Sequence, residues 1–287
     1  MDPAGTRFAA SAPAHAVDLF SADRPIASKD EDLLGRTSFA QSLAHAIEGW
    51  RSEDSLIIGL YGLWGSGKTS LKNLVVEELC GRIGIVEFDP WQWSAQGEIA
   101  EAFFEQLARG IAGRPGIGWW GRRKAQWRAF QIRHYARLLD VAASGLGLAG
   151  RMGRFLAALC TPDLRRGPVR AKVKLGGLLR RLDRPVLVVI DDIDRLTRAE
   201  IRLVFQLVKS NADFPNLVYL LLFDRRVVEA ALDEDGLPGR DYLEKVVQVG
   251  FDLPHVERSR LDRVLFAALD EVFLLPGASD RWDAQRW

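Results

Sequence analysis

The sequence predicts an α/β fold with a mostly parallel five-stranded sheet and helices on both faces. Three observations support this: short apolar runs alternate with segments of helical periodicity, a glycine-rich turn follows the first run, and carboxylates follow the third. Continuous apolar strands are typical of parallel sheets, because both faces of such strands are buried. With 287 residues and a hydrophobic fraction of 48%, the chain can form a large core.

The predicted strands are separated by the helical segments that parallel connections need. They cover residues 56–61, 83–88, 186–190, 217–223 and 246–253. The spacing of apolar residues predicts helices over 38–50, 70–80, 198–210 and 259–274.

Cysteine and histidine usage narrows the class of protein. The two cysteines, Cys80 and Cys160, stand alone in the sequence, and the four histidines are scattered. These counts exclude a disulfide framework and a cysteine zinc site. The first twenty residues lack an unbroken apolar segment, so we expect a reducing, cytoplasmic compartment.

A net charge of +1 hides a strong asymmetry along the chain. Residues 109–184 contain 18 Lys and Arg against three acidic residues, a net charge of +15, which leaves −14 for the rest. Such a density of like charge predicts a surface that faces an anionic partner. The stretch begins with a glycine-rich loop at 113–118, so we interpret 113–170 as a basic helical insertion.

Three alternatives describe this insertion. It is a small-residue helical hairpin packed on the main domain, or a membrane-surface segment in which Trp119, Trp120 and Trp127 act as interfacial anchors, or a nucleic-acid-binding segment. Its longest uncharged run, residues 141–150, has ten residues. Such a run is too short to cross a bilayer.

The first strand is followed directly by a phosphate-loop motif. Residues 62–69 read GLWGSGKT, which matches G-x-x-x-x-G-K-[ST] between a strand and a helix. Backbone N–H groups of such a loop bind phosphate oxygens, Lys68 reaches the β- and γ-phosphates, and Thr69 holds Mg²⁺. The alternative is a glycine-rich turn without a ligand. The predicted nucleotide-binding residues here are Gly62, Leu63, Trp64, Gly65, Ser66, Gly67, Lys68, Thr69 and Ser70.

Carboxylates follow the third strand at the edge where α/β folds bind ligands. We interpret Asp191 as the Walker B ligand of Mg²⁺, and Asp192 as the base that accepts a proton from the attacking water. The alternative for Asp192 and Asp194 is capping of the next helix. Arg225 and Arg226 follow the fourth strand, and each is either a sensor of the γ-phosphate or a surface arginine.

Six blocks in this order resemble the KAP family of P-loop NTPases, from about residue 30 to residue 254. They read DLLGR at 32–36, GLWGSGKT at 62–69, FDPWQW at 88–93, DDIDR at 191–195, FDR at 223–225 and YLEKVVQ at 242–248. The resemblance implies the sheet order 5-1-4-3-2 and an insertion between Walker A and Walker B. In many members that insertion spans the membrane, whereas Asp140, Arg151 and Arg154 interrupt the apolar run here, which leaves peripheral attachment.

The resemblance also implies roles for single residues. Gly35 and Arg36 would lie beside the adenine, with the backbone reading the base edge; the alternative is an ordinary loop before the first helix. Arg195 and Lys245 would be structural, for example paired with Asp194 or Glu244, and the alternative for Arg195 is a catalytic role. The position of Trp64 within the loop predicts an exposed ring that packs on the nucleotide or on Trp91 and Trp93.

From the motifs and the resemblance we expect a Mg²⁺-dependent ATPase that acts as a switch for assembling protein complexes, some of them membrane-associated or phage-excluding. One alternative is an ATP-liganded scaffold with little turnover, and another is a nucleic-acid-stimulated ATPase. The expected partners are ATP, a protein partner or further copies of the chain, and an anionic membrane surface at the inner face. Nucleic acid is a less favoured partner.

We expect four regions along the chain. They are a flexible segment at 1–29, a nucleotide domain formed by 30–112 and 171–255, the insertion at 113–170, and a C-terminal helix and tail at 256–287.

Overall fold

A parallel five-stranded sheet forms the centre of the molecule. The computed structural model describes residues 24–96, 98–112, 119–143, 167–234 and 236–273. The strands are β1 (Leu56–Tyr61), β2 (Gly84–Phe88), β3 (Val186–Ile190), β4 (Leu217–Phe223) and β5 (Val249–Asp252). Their order, β2-β3-β4-β1-β5, is the expected order 5-1-4-3-2 seen from the opposite edge, so the predicted topology is confirmed.

Helices cover both faces of this sheet, as predicted. In chain order they are α1 (Thr37–Gly49), α2 (Lys68–Leu79), α3 (Ile99–Ala112), α4 (Trp119–Ala143), α5 (Gly167–Leu179), α6 (Arg198–Gln206), α7 (Arg225–Leu232), α8 (Gly239–Val246) and α9 (Arg258–Phe273). Short 3₁₀ turns lie at Lys29–Glu31, Pro90–Gln96 and Ile193–Arg195.

Two apolar clusters hold the layers together. Helices α1 and α2 pack on one face of the sheet, and the other helices up to α8 contribute to the cluster on the opposite face. The central strand β4 is buried along its whole length, and the Tyr219 hydroxyl donates a hydrogen bond to the Ala212 carbonyl at 2.7 Å. This satisfied hydroxyl lets a tyrosine occupy the core without an unpaired polar group.

The strand register brings the ends of four strands to one edge. Phe88 pairs with Ile190, Ile190 with Leu221, and Tyr61 with Phe223. Because the strands are parallel, the residues that follow them, among them Asp89 and Asp191, lie at the same edge as the phosphate loop.

Two predicted boundaries were wrong. β5 begins at Val249 rather than at 246, because α8 continues to Val246 and the Gln248 side-chain oxygen accepts a hydrogen bond from the Ile57 amide at 2.5 Å. The helix predicted over 198–210 is α-helical only to Gln206 and continues as a short π-helix over Leu207–Asn211.

The described part of the basic insertion consists of helices packed on the domain. Residues Ala125, Ala129, Ile132 and Tyr135 form the buried stripe of α4, which contacts α3 and α5. The small-residue segment 144–160 lies outside the described residues. Within the residues described, no helix combines the length and the apolar character that crossing a bilayer requires.

Candidate functional site

The phosphate loop connects β1 to α2 in a conformation that requires glycine. Gly65 and Gly67 have φ angles of +74° and +91°, in the left-handed region. A Cβ on Gly67 would also lie 2.6 Å from Nη1 of Arg36. Side chains at these positions would therefore strain the loop and push the arginine away.

Lys68 lies inside the curve of this loop. Its Nζ donates to the carbonyls of Gly62 at 2.8 Å and Leu63 at 3.2 Å, and Oδ2 of Asp194 is 3.8 Å away. Only 7% of the residue is exposed. The ammonium group is thus held within the loop that the motif assigns to phosphates.

Thr69 joins the loop to the end of β3. Its hydroxyl donates a hydrogen bond to Oδ2 of Asp191 at 3.1 Å. A hydroxyl and a carboxylate are both hard oxygen ligands, so this pair fits Mg²⁺. The described residues contain no cluster of three or more His, Cys, Asp or Glu that could hold a metal, so a Mg²⁺ here would need phosphate or water oxygens as further ligands.

Asp192 combines an unusual backbone conformation with acidic neighbours. Its φ is +57°, its amide donates to Oδ1 of Asp191 at 2.9 Å, and its carboxylate pairs with Nε of Arg195 at 3.0 Å. Burial and the neighbouring Asp191 charge raise the pKa of Asp192, with smaller contributions from Asp89 and Asp194 and an opposing one from Arg195. The carboxylate therefore accepts a proton more readily than an ordinary aspartate.

Asp194 is a site residue that we did not assign from the sequence. Its Oδ2 accepts a hydrogen bond from the Asp224 amide at 3.1 Å and lies near Lys68. Asp194 thus links the phosphate-loop lysine to the start of α7. The capping alternative does not describe Asp192 either, because its side chain makes no capping hydrogen bond.

Arg195 and Arg225 are both paired with carboxylates. Arg195 pairs with Asp192, so its expected pairing with Asp194 was wrong. The Arg225 guanidinium bonds Glu229 at 2.7 Å, lies 3.7 Å from Glu244 and stacks over the Tyr61 ring. Its position is therefore set by two glutamates and a tyrosine.

Gly35 and Arg36 belong to a tight turn before α1. The Asp32 carboxylate accepts hydrogen bonds from the Thr37 amide and hydroxyl at 2.7 and 2.6 Å, and from the Gly35 amide at 2.9 Å. Burial tends to raise the pKa of Asp32, but these bonds and one from the Leu34 amide outweigh it and lower the pKa. Gly35 has a φ of +72°, which suits the turn.

The Arg36 side chain reaches from this turn to the phosphate loop. Its Nη1 donates to the Ser66 carbonyl at 2.8 Å, and its Nη2 donates to the Pro254 carbonyl at 3.4 Å.

The aromatic side chains of the site edge differ in exposure. Trp64, within the loop, is 83% exposed, and Trp91 is 51% exposed. Trp93 is partly buried against the main apolar cluster. Trp64 therefore presents its ring to solvent at the rim of the phosphate loop.

Comparison with known proteins assigns a family to this architecture. A sequence model described as the KAP family P-loop domain matches residues 36–121 and 170–286. The chain is 28% identical over 263 residues to the Phage T7 exclusion protein of Escherichia coli strain K12. That alignment covers 82% of the chain and 35% of the exclusion protein, so the chain spans about a third of that relative's length.

Among solved structures, the similarity is weaker. The Aeropyrum pernix Orc1 protein in complex with DNA has a TM-score of 0.37 at 15% identity, over 83% of this chain and 50% of that chain. Drosophila ORC bound to GC-rich DNA and Cdc6 has a TM-score of 0.40 at 11% identity, over 96% of this chain and 43% of that chain.

Proposed function

This chain belongs to the KAP family of P-loop NTPases, and on that premise we propose that it binds Mg-ATP and hydrolyses it as a switch for assembling protein complexes. The observation that carries the proposal is the hydrogen bond between Thr69 and Asp191, beside Lys68. It places a lysine, a hydroxyl and a carboxylate from two distant segments at one edge of the sheet. This is the set of groups that phosphoryl chemistry needs.

Each of these side chains has a distinct proposed task. Backbone N–H groups of the loop and of the first turn of α2, through Ser70, bind phosphate oxygens. Lys68 exchanges its carbonyl partners for the β- and γ-phosphates, and Thr69 with Asp191 holds Mg²⁺. A Mg²⁺ held by these two residues would supply charge neutralisation on the phosphates. The proposed place of the adenine is beside the backbone of Gly35 and Arg36.

Asp192 is the proposed general base. Its raised pKa suits a carboxylate that takes a proton from water. Arg195 holds its carboxylate at 3.0 Å, so the same contact limits how freely Asp192 reaches an attacking water. Turnover therefore depends on how far Arg195 releases Asp192.

That ion pair also favours a second candidate function, an ATP-liganded scaffold with little turnover. In this reading, Mg-ATP binding alone stabilises the assembling conformation, and Asp192 stays paired with Arg195. The ATPase switch and the ATP-liganded scaffold differ in one measurable quantity, the turnover rate at saturating Mg-ATP.

The steady-state turnover of Mg-ATP by the purified chain, beside Lys68→Ala, separates these candidates. We expect turnover in the chain and its loss in the variant, because Lys68 is the cation of the loop. Lys124→Ala, which removes an exposed lysine of α4, is the matched control and should keep the rate. Tight Mg-ATP binding without turnover would establish the scaffold, and no binding would contradict both candidates.

We propose an anionic membrane surface at the inner face as the partner of the basic helices. Lys124 of α4 and Arg170 of α5 are exposed, and Trp127 and Phe130 are 47% and 58% exposed. Exposed aromatic rings beside basic residues suit an anionic interface. Co-sedimentation with anionic vesicles, compared with neutral vesicles and with duplex DNA, tests this assignment against the nucleic-acid alternative.

A further inference from the structure

We infer that Arg36 is a positioning residue of the phosphate loop, which supports the phosphates of the nucleotide from beneath the loop rather than reading the adenine with its side chain. The inference rests on the proposed binding of ATP. It assigns to the guanidinium a task separate from that of the Gly35–Arg36 backbone.

The Arg36 side chain is buried and directed at the phosphate loop. Arg36 is only 8% exposed, and its Nη1 donates to the Ser66 carbonyl at 2.8 Å. The absence of a side chain on Gly67 lets the guanidinium approach the loop this closely. A loop carbonyl fixed from outside leaves the neighbouring N–H groups free to face a ligand.

Among the residues that the structure describes, the charge of Arg36 has no counterion in direct contact. No carboxylate of the described residues forms an ion pair with it, and its hydrogen-bond partners are the carbonyls of Ser66 and Pro254. Its Nε is buried without a partner. Asp32 is the nearby acid, but its carboxylate is occupied by donors of its own turn.

A buried cation without a paired anion is costly, and the chain tolerates it here at the edge of an anion site. Burial lowers the pKa of Arg36, with the Asp32 charge acting in the opposite direction. Phosphates bound in the loop supply negative charge beside this cation. The benefit grows with the number of phosphates, because each added phosphate adds charge on the loop side of the molecule.

A role in reading adenine predicts a different pattern. Contacts with the base are the same in ATP, ADP and AMP, so their loss would weaken all three equally. A purely structural role would likewise lower every affinity together, along with the melting temperature. Only the positioning role predicts a loss of affinity that grows with the number of phosphates on the nucleotide.

The test is calorimetric titration of the full chain with Mg-ATP, Mg-ADP and AMP, in the wild type and in Arg36→Met and Arg36→Lys. In Arg36→Met we expect Mg-ATP affinity to fall about tenfold or more, Mg-ADP affinity to fall less, and AMP affinity to stay within about twofold. Arg36→Lys keeps the charge without the two-pronged contact and should recover part of the Mg-ATP loss.

Arg137→Met, at an exposed arginine of α4, is the matched control and should bind all three nucleotides as the wild type does. Melting curves without nucleotide check that each variant is folded, and Arg36→Lys keeps the test valid if Arg36→Met does not fold. If Arg36→Met lowers the affinity for all three nucleotides equally, or lowers none of them, the inference is overturned, while the proposal that the wild type binds ATP still stands. A wild type that binds none of them would overturn the proposed function as well.

Discussion

The phosphate edge and the basic surface of this molecule hold their charges in opposite ways. At the phosphate edge, formed by Lys68, Thr69, Asp191, Asp192 and Asp194, the side chains are fixed by polar contacts: Lys68 with loop carbonyls and Asp194, Thr69 with Asp191, and Asp192 with Arg195. On the basic surface, defined by Lys124 and Arg137 of α4 and Arg170 of α5, the charged side chains are exposed. We therefore expect the first region to act through geometry and the second through summed charge.

This difference predicts how each region responds to substitution. Groups fixed in a partly buried site act strongly on a developing charge and need no reorganisation. Exposed charges are screened by water and salt, and single changes among them are small. Single substitutions at the phosphate edge should therefore have large effects on function, whereas the basic surface should respond only to several changes.

The largest expected effect comes from Asp192→Asn. Loss of the base should lower kcat by about 10²–10⁴-fold, with Mg-ATP affinity nearly unchanged. Single-turnover kinetics beside equilibrium binding measures both quantities. Unchanged kcat would remove Asp192 from the chemistry and would require another group to accept the proton from water.

The pH dependence of kcat sharpens the same assignment. A base works when ionised, so the raised pKa of Asp192 means that activity is lost on acidification at a higher pH than for an ordinary aspartate. Arg195 lowers that pKa, so Arg195→Met should move the acid limb of the kcat profile to still higher pH. A limb that moves to lower pH in Arg195→Met would contradict this electrostatic account.

Thr69→Ala should have the next largest effect. It removes the hydroxyl that bonds Asp191 at 3.1 Å, so we expect the Mg²⁺ concentration for half-maximal turnover to rise about 10–100-fold. Thr69→Ser retains the hydroxyl and serves as the matched control. If Thr69→Ser behaves like Thr69→Ala, the methyl group rather than the oxygen carries the effect.

Asp32→Ala tests the turn that carries Gly35 and Arg36. It removes a carboxylate that accepts bonds from Thr37 and Gly35, so we expect a loss of about 1 kcal/mol in the free energy of unfolding. Because the pKa of Asp32 is lowered in the folded state, its contribution is present above the unfolded pKa and disappears as pH falls through the folded pKa. The wild type and Asp32→Ala should therefore converge in stability at low pH in chemical denaturation, and a constant gap would contradict this.

The smallest expected effect is on the basic surface. Lys124→Glu together with Arg170→Glu should change the free energy of unfolding by less than about 1 kcal/mol and leave ATP turnover without vesicles unchanged. The pair should nevertheless weaken co-sedimentation with anionic vesicles at low salt. A large fall in turnover would show that the two regions are not separate in the way proposed here.

The sequence predicts the sheet well because its strands are strong local signals. The runs at Leu56–Tyr61 and Leu217–Phe223 are apolar throughout, and burial on both faces follows directly from that composition. The sequence did not show where α8 ends and where β5 begins, because the apolar residues of the two elements run together. Val246 ends the helix and Gln248 makes a contact with Ile57 that only the folded chain provides.

The candidate site was predictable in its motif but not in its long-range contacts. Lys68 and Asp191 follow from the residue pattern and its position after a strand. Asp194 contacts Lys68 across 126 residues of sequence, and Arg36 meets Ser66 and Pro254 across 30 and 218 residues. Such contacts depend on how α1, β3 and the segment after β5 pack, and a single sequence does not encode that locally.

The most direct test of the central claim is the affinity of the chain for Mg-ATP, measured calorimetrically beside Lys68→Ala and Lys124→Ala. We expect saturable binding in the wild type, an affinity lower by about 100-fold or more in Lys68→Ala, and wild-type affinity in Lys124→Ala. Equal affinities in Lys68→Ala and the wild type would contradict the assignment of the phosphate loop as the nucleotide site.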